Sequence, residues 1–141
     1  MFLAAAPPKR RINTREVATA YGISAHHLQK AALSLARMGY IESLPGRGGG
    51  VRLARAPGDI RLGALVLATE GSGCLVDCAR GPCPLSGKCL LKGILDRAER
   101  VFIEELDKIT LADIVARKTG VALSRMMSLL PEPTFQTPTL E

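Results

Sequence analysis

The chain has 141 residues, with 19 Lys/Arg against 13 Asp/Glu and a formal net charge of +6. Its few aromatic residues (three Phe, two Tyr, no Trp) leave Ala, Leu, Val and Ile as the hydrophobic mass, a composition that favours helices over a β-sandwich. No run approaches the ~20 apolar residues of a membrane span, and Met1-Phe2-Leu3-Ala4-Ala5-Ala6 lacks the length and basic leader of a signal peptide. The reading is therefore a cytoplasmic protein with no membrane partner, in which cysteines bind metal in preference to forming disulfides.

The positive charge is unevenly placed. Residues 1–65 hold ten Lys/Arg against three Asp/Glu, and residues 66–141 hold nine against ten. That is the pattern of a module that meets a polyanion, although charge alone would serve solubility equally well.

In chain order, Asn13 with Glu16 makes a capping-box-like start to a first helix whose apolar face is Val17, Ala18 and Tyr21. Gly22 ends it, and Ile23 and Ser24 lead into a second helix running to about Met38. There Leu28, Ala31, Ala32 and Leu35 recur at helical spacing before Gly39 closes the element. Two short helices joined by a tight Gly-containing turn read as a helix-turn-helix. Tyr40–Leu44 and Val51–Ala54 alternate around Pro45-Gly46-Arg47-Gly48-Gly49-Gly50, which predicts a β-hairpin, the wing of a winged helix. A phosphate-binding loop does not fit, because no Gly-Lys-Ser/Thr follows.

Residues 60–69 predict a third helix. Residues 71–89, rich in Gly and Pro, break the periodicity and contain all four cysteines. From Leu90 to about Lys108 an amphipathic helix returns (Leu91, Ile94, Leu95, Ala98, Phe102, Ile103, Leu106), of the kind that packs on a second copy of its own chain. Thr110 caps a short helix from Leu111 to about Ala116. Residues 118–141 read as a disordered tail, most clearly from Pro131 onward, where Pro, Thr and Gln dominate. The division is thus a winged helix-turn-helix domain over 1–69, a cysteine loop over 70–89, a dimerisation helix with a short C-terminal helix over 90–117, and the tail. The fold class is mainly α with a small β-hairpin wing.

A recognition helix presents its N-terminal side chains to base edges in the major groove. Here the candidates are His26, Gln29 and Lys30; Gln29 suits an adenine edge and Lys30 a guanine or phosphate. His26 and His27 point about 100° apart, with His26 expected outward, and neighbours on a helix make a poor metal-ligand pair. Arg47 at the wing tip, with Arg52 and Arg55 behind it, suits phosphate contacts or minor-groove insertion, and Lys9, Arg10 and Arg11 add backbone contacts.

The cysteines follow the pattern Cys74-x3-Cys78-x4-Cys83-x5-Cys89. Structural zinc sites usually show paired Cys-x2-Cys spacings, and none occurs here. Thiolates spread along a Gly/Pro-rich loop suit an iron–sulfur cluster better, because small residues let backbone amides approach the sulfides. A zinc loop and free or disulfide thiols remain alternatives. No nucleophile–base pair, carboxylate pair or cofactor loop marks an enzyme. A cluster-carrying redox or scaffold protein is the competing class.

Over roughly residues 12–117 the sequence resembles the winged-helix iron–sulfur transcription repressors, the family that includes NsrR and IscR. The resemblance is carried by Thr14-Arg15-Glu16-Val17-Ala18, Tyr21-Gly22-Ile23-Ser24 and Gly48-Gly49-Gly50-Val51-Arg52-Leu53. It continues in Cys78-x4-Cys83-x5-Cys89-Leu90-Leu91-Lys92, Phe102-Ile103-Glu104-Glu105-Leu106-Asp107 and Thr110-Leu111-Ala112-Asp113-Ile114. It implies a homodimer on double-stranded promoter DNA with one cluster per subunit on Cys78, Cys83 and Cys89, of the 4Fe–4S type in preference to 2Fe–2S. It also implies nitric oxide as the signal, with cluster nitrosylation releasing promoters of nitric-oxide detoxification genes. Related repressors sense iron–sulfur status or redox instead. Cys74 lies outside the family motif and is the spare thiol or a fourth ligand. Family members open with a longer first helix that supplies an acidic ligand to the partner's cluster. This sequence begins near the end of that helix and has no Asp or Glu before Glu16, and Pro45 replaces a wing arginine.

Overall fold

A computed structural model describes residues 1–7, 10–46, 49–71, 75, 76, 78 and 81–129. A short helix α1 (Phe2–Ala5) precedes α2 (Thr14–Tyr21) and α3 (Ala25–Arg37). Asn13 caps α2 by accepting from the N–H of Arg15 at 2.9 Å, and Gly22, at φ 63°, closes it in the left-handed region. The reciprocal half of the expected capping box is missing: Glu16 Oε2 accepts no hydrogen bond and lies 4.0 Å from Arg10. Ser24 then caps α3 through the N–H of His27 at 3.4 Å. A side-chain cap on each helix, with glycine between, gives the helix-turn-helix its sharp corner.

Strands β1 (Ile41–Leu44) and β2 (Gly50–Leu53) pair antiparallel, with Ile41 opposite Leu53, Glu42 opposite Arg52, Ser43 opposite Val51 and Leu44 opposite Gly50. Ile41 and Val51 are buried, so one face of the hairpin closes the core and the other faces solvent. Ile12 bridges Val51 on the open side of β2, exchanging bonds of 2.9 and 2.8 Å. This approach explains the glycines: a Cβ on Gly50 would sit 2.8 Å from the Ile12 carbonyl oxygen, and one on Gly49 2.1 Å from that of Leu44.

A 3-10 turn (Pro57–Asp59) leads to α4 (Leu62–Glu70); after the cysteine loop come α5 (Leu90–Asp107) and α6 (Leu111–Val115). The architecture is a winged helix with a long helix set on its α4 side. One buried cluster joins Ala32, Tyr40, Ile41, Val51, Ile60 and Leu111, uniting α3, the wing and α6. Here Ile60, only 2% exposed, is the central side chain.

The reading of residues 118–141 as a disordered tail is overturned for its first part. Arg117–Ser128 form α7, and Leu123 and Met127 are buried with Phe2 and Ile12 in a second cluster. The spacing Leu123–Met126–Met127 is helical, but Gly120 and the polar residues around it hide that signal in the sequence. The part from residue 130 onward lies outside the described residues.

Candidate functional site

The cysteine loop lies between α4 and α5. Cys78, Cys83 and Cys89 are partly buried free thiols, and all three line one recess of about 500 Å³, walled also by Leu85, Ser86, Gly87, Lys92 and Asp96. Local turns bring them there. The N–H of Ser86 donates to the Cys83 carbonyl and that of Lys88 to the Leu85 carbonyl, both at 3.0 Å. Gly87 takes φ 77°, which reverses the chain between Cys83 and Cys89. Cys89 is the N-cap residue of α5, and no side chain caps that helix start. The N-terminus of the 18-residue helix α5 therefore sits at the edge of the recess. Cys74 lies outside the described residues.

Among the described residues no three His, Cys, Asp or Glu groups converge on one ion position. Three thiols lining one open recess are the donor type that a thiolate-held cluster takes. The residues present therefore fit an iron–sulfur cluster. Asp96, one turn along α5 from Lys92, accepts from its ammonium at the edge of the recess. This pair was not singled out in the sequence, although its four-residue spacing on a helix is the usual signal for one.

The loop is anchored to the winged helix at the far ends of its two flanking helices. Asp107 Oδ1 accepts from the N–H of Ala64 at 3.1 Å, and the Asp107 carbonyl accepts from Arg61 Nη1 at 2.7 Å. Gly63 packs against the same turn of α5; a Cβ there would meet Asp107 Cβ at 2.6 Å and the Ile103 carbonyl oxygen at 2.7 Å. Beside this crossing, Arg61 bridges Thr110, and the N–H of Leu111 donates to the Ile60 carbonyl at 2.8 Å. The Thr110–Asp113 capping box starts α6 at that point. The rest of α5 has no buried residue. Its stripe of Leu90 (85% exposed), Ile94 (54%), Val101 (59%) and Phe102 (56%) stands uncovered.

On α3, His26, Gln29 and Lys30 are exposed, while Leu28, Ala32 and Leu35 turn to the core. His27 is exposed as well, with its ring 6.2 Å from that of His26, so both histidines face solvent. Arg52 stands on the outward face of the wing, where its Nε and Nη2 both lie 2.7 Å from Glu42 Oε2. Arg55, exposed behind the wing, is also held within the winged helix itself. It donates to the carbonyls of Gly39 (3.0 Å) and Met38 (3.4 Å) and stacks 4.7 Å over the Tyr40 ring, closing the C-terminus of α3. Arg47 and Lys9 lie outside the described residues.

Comparison with known proteins agrees with this architecture. The family model described as Rrf2, iron-dependent transcriptional regulator, matches residues 1–117. The HTH-type transcriptional regulator NsrR of Geobacillus kaustophilus is 42% identical over 124 residues, covering 86% of this chain and 84% of that protein. The regulator of the same name from Bacillus subtilis is 39% identical, covering 86% and 85%. Among solved structures, CymR, the global cysteine regulator of B. subtilis, aligns with a TM-score of 0.63 at 24% identity, over 81% of this chain and 84% of that one. T. potens IscR aligns with a TM-score of 0.61 at 24% identity, over 92% and 82%. These structural likenesses establish the winged-helix fold.

Proposed function

The chain belongs to the Rrf2 family of transcriptional regulators, and from that membership we propose that it is a homodimeric repressor whose hold on promoter DNA is set by an iron–sulfur cluster and relieved by nitric oxide. The observation that carries the reading is that Cys78, Cys83 and Cys89 all line one recess at the start of α5. When bound, a thiolate-held cluster supplies iron that reacts with nitric oxide, oxygen or chelators. The protein's part is to hold three thiolates around that recess and to fix the far ends of α4 and α5 on the winged helix. Cys74 is the candidate for a fourth protein ligand in a 4Fe–4S site.

DNA is met through His26, Gln29 and Lys30 at the start of α3 and through Arg47 and Arg52 of the wing; their exposure on α3 and the concentration of positive charge in residues 1–65 support this. The uncovered stripe on α5 supports pairing with a second copy. No described helix is long and apolar enough to cross a membrane, in keeping with a cytoplasmic site of action. The relatives named NsrR support nitric oxide as the signal in preference to iron or redox status.

The test is a titration of anaerobically purified protein with nitric oxide, following visible absorbance and binding to a promoter fragment in the same samples. Loss of the cluster bands in step with release of the fragment is the expected result. A colourless, zinc-loaded preparation overturns the cluster, and retention of DNA after complete bleaching overturns nitric oxide as the releasing signal.

A further inference from the structure

The outward face of the wing carries one carboxylate gripped between two guanidinium groups. Glu42 and Arg52 are direct cross-strand partners, so their side chains rise from the same face, opposite the one that buries Ile41 and Val51. Two donors of Arg52 share one oxygen of Glu42 at 2.7 Å. The Ile12–Val51 bridge draws Arg11 toward the same oxygen, with its Nη2 4.0 Å away. Residues 1–65 contain only three acids, Glu16, Glu42 and Asp59. Among the described residues, Glu42 is the one of these that holds a wing arginine.

We propose that Glu42 is a built-in competitor for the DNA phosphate: it occupies the donors of Arg52, and more loosely those of Arg11, and so holds down the sequence-independent part of duplex binding. The inference rests on the DNA-binding reading above. Three physical points carry it. A guanidinium fork binds carboxylate and phosphate through the same donors, so the two anions exclude one another. The pair is open to solvent, with side chains 41% and 46% exposed, and exposed pairs of this kind are held by only about 0–1 kcal/mol, so a phosphate can displace the carboxylate. The negative charge of Glu42 then remains at the contact and opposes it. Phosphate contacts carry no sequence information. Damping them leaves the residues at the start of α3 a larger share of the total binding energy.

The experiment measures full-chain binding by fluorescence anisotropy to a labelled random duplex and to a promoter fragment, from 50 to 200 mM salt. Glu42→Gln keeps an acceptor for Arg52 and removes the charge. The expected result is tighter binding to both duplexes, by up to about eightfold at 0.1 M salt. The slope of log K against log salt should steepen by about 0.9, the signature of one more phosphate neutralised. In an Arg52→Gln background the gain should disappear. Glu42→Thr, a residue that strands accept readily, gives the same reading should the glutamine variant fold poorly. Unchanged or weaker binding with an unchanged slope overturns the inference. An equal gain in the Arg52→Gln background overturns it too, since the effect would then be one of overall charge. A wild-type chain that binds no duplex overturns the DNA-binding reading and this inference together, whereas one that binds while the Glu42 variants are silent overturns this inference alone.

Discussion

Asp107, the last residue of α5, caps the first turn of α4 by accepting from the Ala64 N–H across 43 positions of sequence. Its own carbonyl accepts from Arg61 at the residue just before α4. The two helices that leave and enter the cysteine loop are thereby tied at their far ends, where they join the winged helix. A change in the loop that moves α5 must move α4 and the strand-like bridge between Arg61 and Thr110 with it.

Asp107→Ala should therefore lower stability by about 1 kcal/mol, the usual loss for a helix cap. Gly63→Ala should do so by about 1–3 kcal/mol, because its Cβ would overlap Asp107 and the Ile103 carbonyl. Urea denaturation curves measure both. If Gly63→Ala is neutral, the close crossing of α4 and α5 is not a feature of the folded protein.

Removing single thiols tests the ligand set. Cys78→Ala, Cys83→Ala and Cys89→Ala should each abolish the visible absorbance of anaerobically reconstituted protein while the far-ultraviolet helical signal persists, since none of the three lies inside a helix. Cys74→Ala should retain the bands if the fourth position is filled from outside the loop. Equal loss makes Cys74 the fourth ligand. Iron analysis on the same samples separates a lost cluster from a merely altered spectrum.

Much of this was legible in the sequence because local chemistry and fold agree there. Asn13, Gly22 and Ser24 cap and break helices in the way their types dictate, and the alternation on either side of Gly48-Gly49-Gly50 gives a hairpin. What escaped depends on long-range contact. Arg55 reads as one more wing cation until the structure shows it stacked on Tyr40 and closing α3. Gly63 looks like a poor helix residue until Asp107 is found against it. The helix Arg117–Ser128 is hard to read locally because its burial depends on Phe2 and Ile12, more than a hundred residues away. The spacing of the three cysteines reads as a metal-type site, whereas their shared recess follows from the turns at Ser86–Lys88.

The Thr110–Asp113 box predicts a pH dependence of defined sign. Hydrogen bonds from the Thr110 side chain and then from its backbone N–H hold the Asp113 carboxyl below its usual value of 3.8. A carboxyl depressed on folding stabilises the native state above its unfolded pKa, and that contribution is lost as pH falls through the folded value. Wild type should thus melt above Asp113→Ala near neutrality, with the gap closing as pH drops below the ordinary aspartate range. Thermal melts in buffers from pH 7 downward measure this. A gap that stays constant into strong acid would show that the box does not depend on the charge of Asp113.

The uncovered face of α5 yields the last prediction. Ile94 and Phe102 lie about two turns apart on one stripe, and both are more than half exposed in the single chain. A substitution to Glu at either should leave the monomer folded. In a two-fold pair each substitution appears twice, and burying an Ile or Phe side chain contributes about 1.5–3 kcal/mol. Ile94→Glu or Phe102→Glu should then weaken self-association by about 3 kcal/mol or more, roughly a hundredfold. Sedimentation equilibrium reads that shift directly. Binding to a two-half-site promoter fragment should fall with it, because a monomer engages only one half-site. An unchanged association constant in both variants would place the contact between copies elsewhere than on α5.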